Sequence, residues 1–292
     1  MAVVERALRV SLPTEVERAL RQVESKLTSF KVSDFVNQDL FGPAVHLLNK
    51  QGKLLRPTLL LLGSHLVEKN PSDYIDLAVA AEMLHVASLI HDDIIDRDHE
   101  RRDLKAVHEQ YGREAALLAG DALIAKAVAI SSKYGENVLN AMAKASVDMC
   151  AGELLDYNLQ KSNKMPSVSK CINIDMLKSA SLIATCCNIA AVHSDSPMAS
   201  RIHGFGQNLG VAFQIRDDII DYGEWAGKGR KGALIPNIVS SLESENALGS
   251  SEALDEARAI NSKYVKDAME RLGEGSAAEL MKDYAGLVMI KA

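Results

Sequence analysis

Apolar residues recur along this chain at spacings of three and four, the mark of one buried helix face. Val16, Leu20, Val23 and Leu27 predict an amphipathic helix over Thr14–Leu27. Ser33 is placed to cap a second helix carrying Val36, Leu40, Val45 and Leu48, with Pro43 positioned to kink or split it. Gly52 closes that segment, and Pro57 opens the next, Thr58–Val67. After a break at Asn70–Pro71–Ser72, Asp73–Asp96 reads as one long helix. It is small and aliphatic nearly all round, which predicts a central, buried position. Lys105–Gly112 is a loop or short helix, followed by helices at Arg113–Lys133, Asn137–Gln160 and Asp175–His193. Another starts at Ser196–Pro197 and runs to Tyr222, and the glycine-rich, basic Gly223–Gly232 is expected to be a mobile loop. Helices near Ile235–Leu242, Glu252–Leu272 and Ala277–Met289 close the chain. Strand alternation is nearly absent. The expectation is an all-α, single-domain bundle over residues 1–292, with roughly ten or more helices and sites built from inward-facing side chains.

Composition supports a bundle. Apolar residues are 47% of the chain but aromatics only 4%, so Ala, Leu, Ile and Val fill the core. No Pro/Gly/Ser-rich linker divides it. The net charge of −6 gives no electrostatic footprint for nucleic acid. Cys150, Cys171, Cys186 and Cys187 show no zinc spacing and are expected to be buried, reduced thiols of a cytoplasmic protein. Glu5, Arg6 and Arg9 do not suit a signal peptide. No unbroken run approaches the ~18–20 apolar residues of a membrane span; Ala115–Ile130 is interrupted by Asp121 and Lys126.

The candidate chemistry lies in HDDIIDRDHERR, His91–Arg102. Asp92 and Asp96 are four apart and share a helix face, while Asp93 lies about 100° round from Asp92. Clustered carboxylates beside Ile90, Ile94 and Ile95 repel unless a cation lies between them. Oxygen ligands suit Mg²⁺, which is commonly held by one or two carboxylates plus phosphate. The pattern returns at Asp217, Asp218 and Asp221 in FQIRDDIID. One such motif is a weak signal; two, with Arg101 and Arg102 after the first, are a strong one.

With GKLLRP (Gly52, Lys53, Arg56, Pro57), LLAGDALIA, Gly152–Glu153 and KSASL (Lys178, Ser179) in the same order, the chain resembles the trans-type isoprenyl (polyprenyl) diphosphate synthases over nearly its whole length. The resemblance implies the isoprenoid synthase type I fold around a central cavity, and a homodimer. It implies transfer of an allylic group, ionised from its diphosphate, onto isopentenyl diphosphate, with Mg²⁺ (three ions with substrate bound) neutralising the departing pyrophosphate. The two acidic helix ends would pinch that metal-bound group. Asp92, Asp96 and Asp217 would ligate the metal. Asp93, Asp218 and Asp221 would stand one step back, orienting water or pairing with lysines. Arg101, Lys178, Ser179, Gln214 and a loop lysine, Lys228 in preference to Lys231, would hold the allylic diphosphate. Lys53, Arg56, His85 and Arg102 would hold isopentenyl diphosphate. Ala87 and Ser88, five and four residues before Asp92, are small, with Leu84 below them; Ile124 and Val128 are candidates for the floor of the slot. That predicts an all-trans product longer than fifteen carbons, about twenty-five to forty, with a twenty-carbon geranylgeranyl product as the alternative. No transmembrane segment is expected, only transient membrane contact as product leaves. Leu54, Asp103, Ser179 and Arg216 depart from the family pattern, as does a shortened loop from Tyr222 to Pro236.

Four other readings fit less. A phosphohydrolase using His91–Asp92 leaves the second DDIID unexplained. A di-iron bundle needs two E-x-x-H motifs, and only Glu82–His85 is present. A terpene cyclase would not carry DDIID as its second metal motif. A non-catalytic synthase subunit would have lost aspartates from one motif, and both are complete.

Overall fold

A computed structural model describes residues 11–50, 52–162, 164–227 and 237–286. Among the described residues the fold is all-α apart from one very short ribbon. The chain groups into two compact units, Met1–Ala143 with Cys186–Ala199, and Lys144–Thr185 with Ser200–Ala292.

The first unit holds α1 (Thr14–Thr28), α2 (Gln38–Asn49), α3 (Leu55–Leu66), α4 (Ile75–Asp96), α5 (Val107–Tyr111) and α6 (Arg113–Ser131). The long central helix is present, buried along Leu77, Ala80, Ala81, Met83, Leu84, Ala87 and Ile90. It packs most extensively on α6 and also on α3 and α1. Gly120 lets α6 come close: a Cβ there would lie 2.2 Å from Nε2 of His91. The cap of α2 is Asn37, whose side chain accepts from the Leu40 N–H at 3.0 Å, not Ser33. Ser33 instead lies in a 3₁₀ turn, Val32–Phe35, and the chain reverses at Val36 with φ 70° before the helix begins. Pro43 sits inside α2 without splitting it.

A ribbon that the alternation rule misses, β1 (Glu100–Arg101) and β2 (Leu104–Lys105), follows α4. Its strands are too short to show a period. Arg102 and Asp103 form its tip with φ 55° and 57°, the left-handed pair that a tight hairpin requires.

α7 (Glu136–Ser162) and α9 (Ser181–His193) are each divided between the units. The second unit also contains α8 (Val168–Asp175), a π-helical turn at Met176–Ala180, nearly all of α10 (Ala199–Gly227), α11 (Ile238–Asn246), α12 (Ser250–Leu272) and α13 (Ser276–Gly286). Its core joins Val211, Ile215, Val239, Leu242 and Ala257. Asn261 pins α12 to α10 by donating to the Ala212 carbonyl at 2.6 Å. The predicted loop beginning at Gly223 is corrected: Gly223–Gly227 continues α10. Lys228 and Lys231 lie outside the described residues.

Two further expectations change. Cys171, Cys186 and Cys187 are buried free thiols, but Cys150 is exposed. By length and average composition, Pro71–Asp96, Arg113–Tyr134 and Val168–His193 are apolar enough to cross a membrane, because an average tolerates the interrupting charges. The apolar window is 72% and 78% buried in the first and third, where packing accounts for it, but only 33% in Arg113–Tyr134.

Candidate active site

The C-terminal turn of α4 sorts its three aspartates by helix phase. Asp93 is fully buried, Asp92 is half-buried and Asp96 exposed. Arg97 ends the helix at φ 60°, and the chain returns through the ribbon, bringing Arg101 back onto Asp93. Its Nε donates to Asp93 Oδ1 at 2.7 Å, and its Nη2 to Asp98 Oδ2 at 2.8 Å. Burial raises the Asp93 carboxyl above the usual range, with Arg101 opposing that shift. Asp93 therefore pairs with an arginine, not a lysine, and aims it.

The ribbon tip places Arg102 deeper. Its Nη1 donates to the carbonyls of Leu47 and Lys50 at 3.0 and 3.2 Å, and its Nη2 to Glu82 Oε1 at 3.2 Å. Gly52 makes room, since a Cβ there would lie 3.0 Å from Arg102 Nη2. Arg56 and His85 share this recess. Among the described residues, Arg56 Nε and His85 Nδ1 are buried with no hydrogen-bond partner. Burial, then the charges of Arg56 and Arg102, hold His85 well below its usual range, so its ring is neutral at physiological pH. Lys53 is exposed at the rim. Ser88 is half-buried and donates to the His85 carbonyl at 2.8 Å, while Ala87 and Leu84 are buried. Ile124 is half-buried, but Val128 is 44% exposed and is removed as a floor residue: it lies on the outer side of α6.

In the second unit Lys178 is held between Glu153, 2.6 Å from Oε2, and Asp156, 2.8 Å from Oδ2. These carboxylates outweigh burial and raise the ammonium further above its usual range. Lys178 and Ser179 lie in the π turn, a local widening of the helix that often marks functional positions. Two glycines flank the turn: a Cβ on Gly152 would fall 2.4 Å from Lys178 N, and one on Gly210 2.5 Å from Ala180 Cα. Ser179 donates to Gln214 Oε1 at 3.0 Å, and Gln214 Nε2 donates to Asp218 Oδ1 at 3.3 Å. The other Asp218 oxygen accepts from the Ile238 N–H, at the start of α11, at 3.1 Å. Asp217 is half-buried and Asp221 exposed on the same stretch of α10.

Asp218 is pushed up from 3.8 to about 6, first by burial, with Asp221 and Asp217 adding to the rise and its two hydrogen bonds opposing it. A raised acid binds its proton more tightly folded than unfolded, so stability falls as pH climbs between those two values. Melted without divalent metal, the protein should lose several degrees between about pH 4 and 6, and Asp218→Asn should lose less. Equal slopes in the two proteins would exclude Asp218 as the cause.

The family described as Polyprenyl synthetase matches residues 37–233. A geranylfarnesyl diphosphate synthase of Methanosarcina mazei is 40% identical over 210 residues, 70% of each chain. This chain belongs to the polyprenyl synthetase family. A short chain isoprenyl diphosphate synthase of Methanocaldococcus jannaschii is 29% identical over 87% of this chain and 81% of its own. Among solved structures, a geranylgeranyl pyrophosphate synthetase of Geoglobus acetivorans superposes with a TM-score of 0.81 at 25% identity, covering 95% of this chain and 98% of that one. Polyprenyl synthetases are prenyltransferases of the isoprenoid synthase type I fold, and the fold expected from the motifs is the one observed.

The Mg²⁺ that the family uses suits the residues present. Asp92 and Asp96 offer hard oxygen donors at the C-terminal end of α4, where the helix dipole favours a cation. Asp217 and Asp221 lie close enough to Asp218 to repel its charge, which a cation would relieve. No group of three His, Cys, Asp or Glu among the described residues forms a cage by itself. Such carboxylates supply part of a shell that water and phosphate complete. Sequence reasoning missed Glu82, Glu153 and Asp156 as partners of site cations. Their signals were present, since Glu82 is three residues from His85, and Glu153 and Asp156 follow Gly152 on one helix face.

Proposed function

We propose that this enzyme adds isopentenyl diphosphate head-to-tail to an allylic diphosphate, building an all-trans polyprenyl diphosphate longer than fifteen carbons, about twenty-five to forty. The observation that carries the reading is the pair of small residues beneath Asp92: Ala87 is buried and Ser88 half-buried on α4, with no bulky ring at either position to block a growing chain. Lys53, Arg56, His85 and Arg102 bind the isopentenyl diphosphate. The fixed guanidinium of Arg102 and the neutral imidazole of His85 orient it with little loss of freedom. Arg101, aimed by Asp93, and Lys178, aimed by Glu153 and Asp156, bind the allylic diphosphate, with Ser179, Gln214 and Lys228 adding contacts. Asp92 and Asp96, and in the second unit Asp217, would hold Mg²⁺, which would supply Lewis-acid neutralisation of the pyrophosphate. The aliphatic wall of α4 below Asp92 keeps water from the allylic cation.

Incubation with a short allylic primer, isopentenyl diphosphate and Mg²⁺, followed by chromatography of the dephosphorylated products, tests this. Turnover should vanish with chelator, and the products should exceed fifteen carbons. A fifteen-carbon end product sinks the length assignment. A twenty-carbon product supports the second reading, favoured by Leu84, which lies one turn below Ser88 and is 5% exposed. The enzyme works as a homodimer, supported by the apolar outer side of α6, where Leu117 and Leu118 are 50% and 58% exposed. A monomeric mass in sedimentation equilibrium would refute that.

A further inference from the structure

Glu82 enters none of the steps proposed above. It is 3% exposed in the middle of α4, an unusual place for a carboxylate. Removing a charge from water costs several kcal/mol unless it is paired. Its Oε1 accepts from Arg102 Nη2 at 3.2 Å, and burial raises its pKa while Arg102 and Arg56 pull it back. In turn Arg56, itself lowered by burial and by the repulsion of Arg102, finds in Glu82 its strongest attraction. His85 lies one turn along α4 from Glu82, with Nδ1 buried and unpartnered among the described residues.

We propose that Glu82 is a positioning residue for isopentenyl diphosphate: its carboxylate holds the Arg56 and Arg102 guanidiniums together, ready for a second, incoming anion. The proposal rests on the prenyl-transfer reading. Without the carboxylate the two guanidiniums repel each other in a site with little water. Arg102 keeps its bonds to the Leu47 and Lys50 carbonyls, but its Nη2 loses a charged acceptor. The diphosphate must then organise the cations itself, at the expense of affinity.

Steady-state kinetics of Glu82→Gln, with the two substrates varied separately, tests the role. The KM for isopentenyl diphosphate should rise at least about tenfold, while kcat and the allylic KM stay within about threefold. Glu82→Asp keeps the charge but withdraws it by one methylene, so its KM should fall between wild type and Gln. A loss spread equally over both KM values and kcat, or an unchanged KM for isopentenyl diphosphate, overturns the role. If circular dichroism shows the Gln variant unfolded, the Asp variant decides by the same criterion. Turnover absent from the wild-type chain overturns the prenyl-transfer reading and this role together; turnover present with unchanged KM overturns this role alone.

Discussion

Asp92→Ala should lower turnover at least about a thousandfold and shift the melting temperature by only a few degrees. The two effects separate because of where the carboxylate sits. Asp92 is half-buried in the last turn of α4, where helix carbonyls already concentrate negative charge. Its removal relieves that crowding and forfeits some attraction to Arg56 and Arg101, so the balance in stability is small. In turnover there would be no such offset, because a carboxylate that holds the metal would act where charge develops. The neighbouring residue should behave differently. Asp93→Ala strips a fully buried carboxylate from Arg101, which keeps its bond to Asp98, and should cost about 1–3 kcal/mol of stability. Melting curves and single-turnover rates on both variants check the contrast. Retained turnover in Asp92→Ala would remove it from the metal site, and equal thermal losses in the two variants would contradict the burial argument.

Gly152→Ala should be among the most damaging single methyl additions in the chain. The new Cβ would lie 2.4 Å from Lys178 N and 2.7 Å from its Cα, so backbone, not a flexible side chain, must yield. On the far side, Gly210 gives the same turn no slack, with its own Cβ position 2.5 Å from Ala180 Cα. Overpacking of this kind costs about 1–3 kcal/mol and sometimes more. It would also shift Lys178 against Glu153 and Asp156, which are one and four residues from the substitution. The expected result is a lower melting temperature together with a raised KM for the allylic diphosphate. Gly223→Ala is the control: nothing lies within 4 Å of its Cβ position in α10, so it should stabilise by up to about 1 kcal/mol. Identical behaviour of the two variants would show that the close approach at Gly152 is not tight.

Helical spacing alone placed most of the helices among the described residues, though not α8, because a buried stripe repeats every three or four residues whatever it packs against. Val16, Leu20, Val23 and Leu27 mark α1, and the apolar run before Asp92 marks α4. The doubled DDIID pointed to a cation site for the same reason, since carboxylates four apart on a helix share a face, and the family resemblance supplied the reaction. Features with no period were invisible. The ribbon at Glu100–Lys105 is two residues per strand, and the π turn at Met176–Ala180 looks like ordinary helix in sequence. Only the fold could choose the partners of each charge. Asp92 and Asp93 are adjacent and chemically identical, yet one is half-buried and the other, fully buried, closes on Arg101. Glu82 and Arg102 are twenty residues apart and meet because the hairpin folds the chain back. Local spacing determines which face a side chain occupies; what stands opposite it depends on contacts remote in sequence, and that is a property of the tertiary structure.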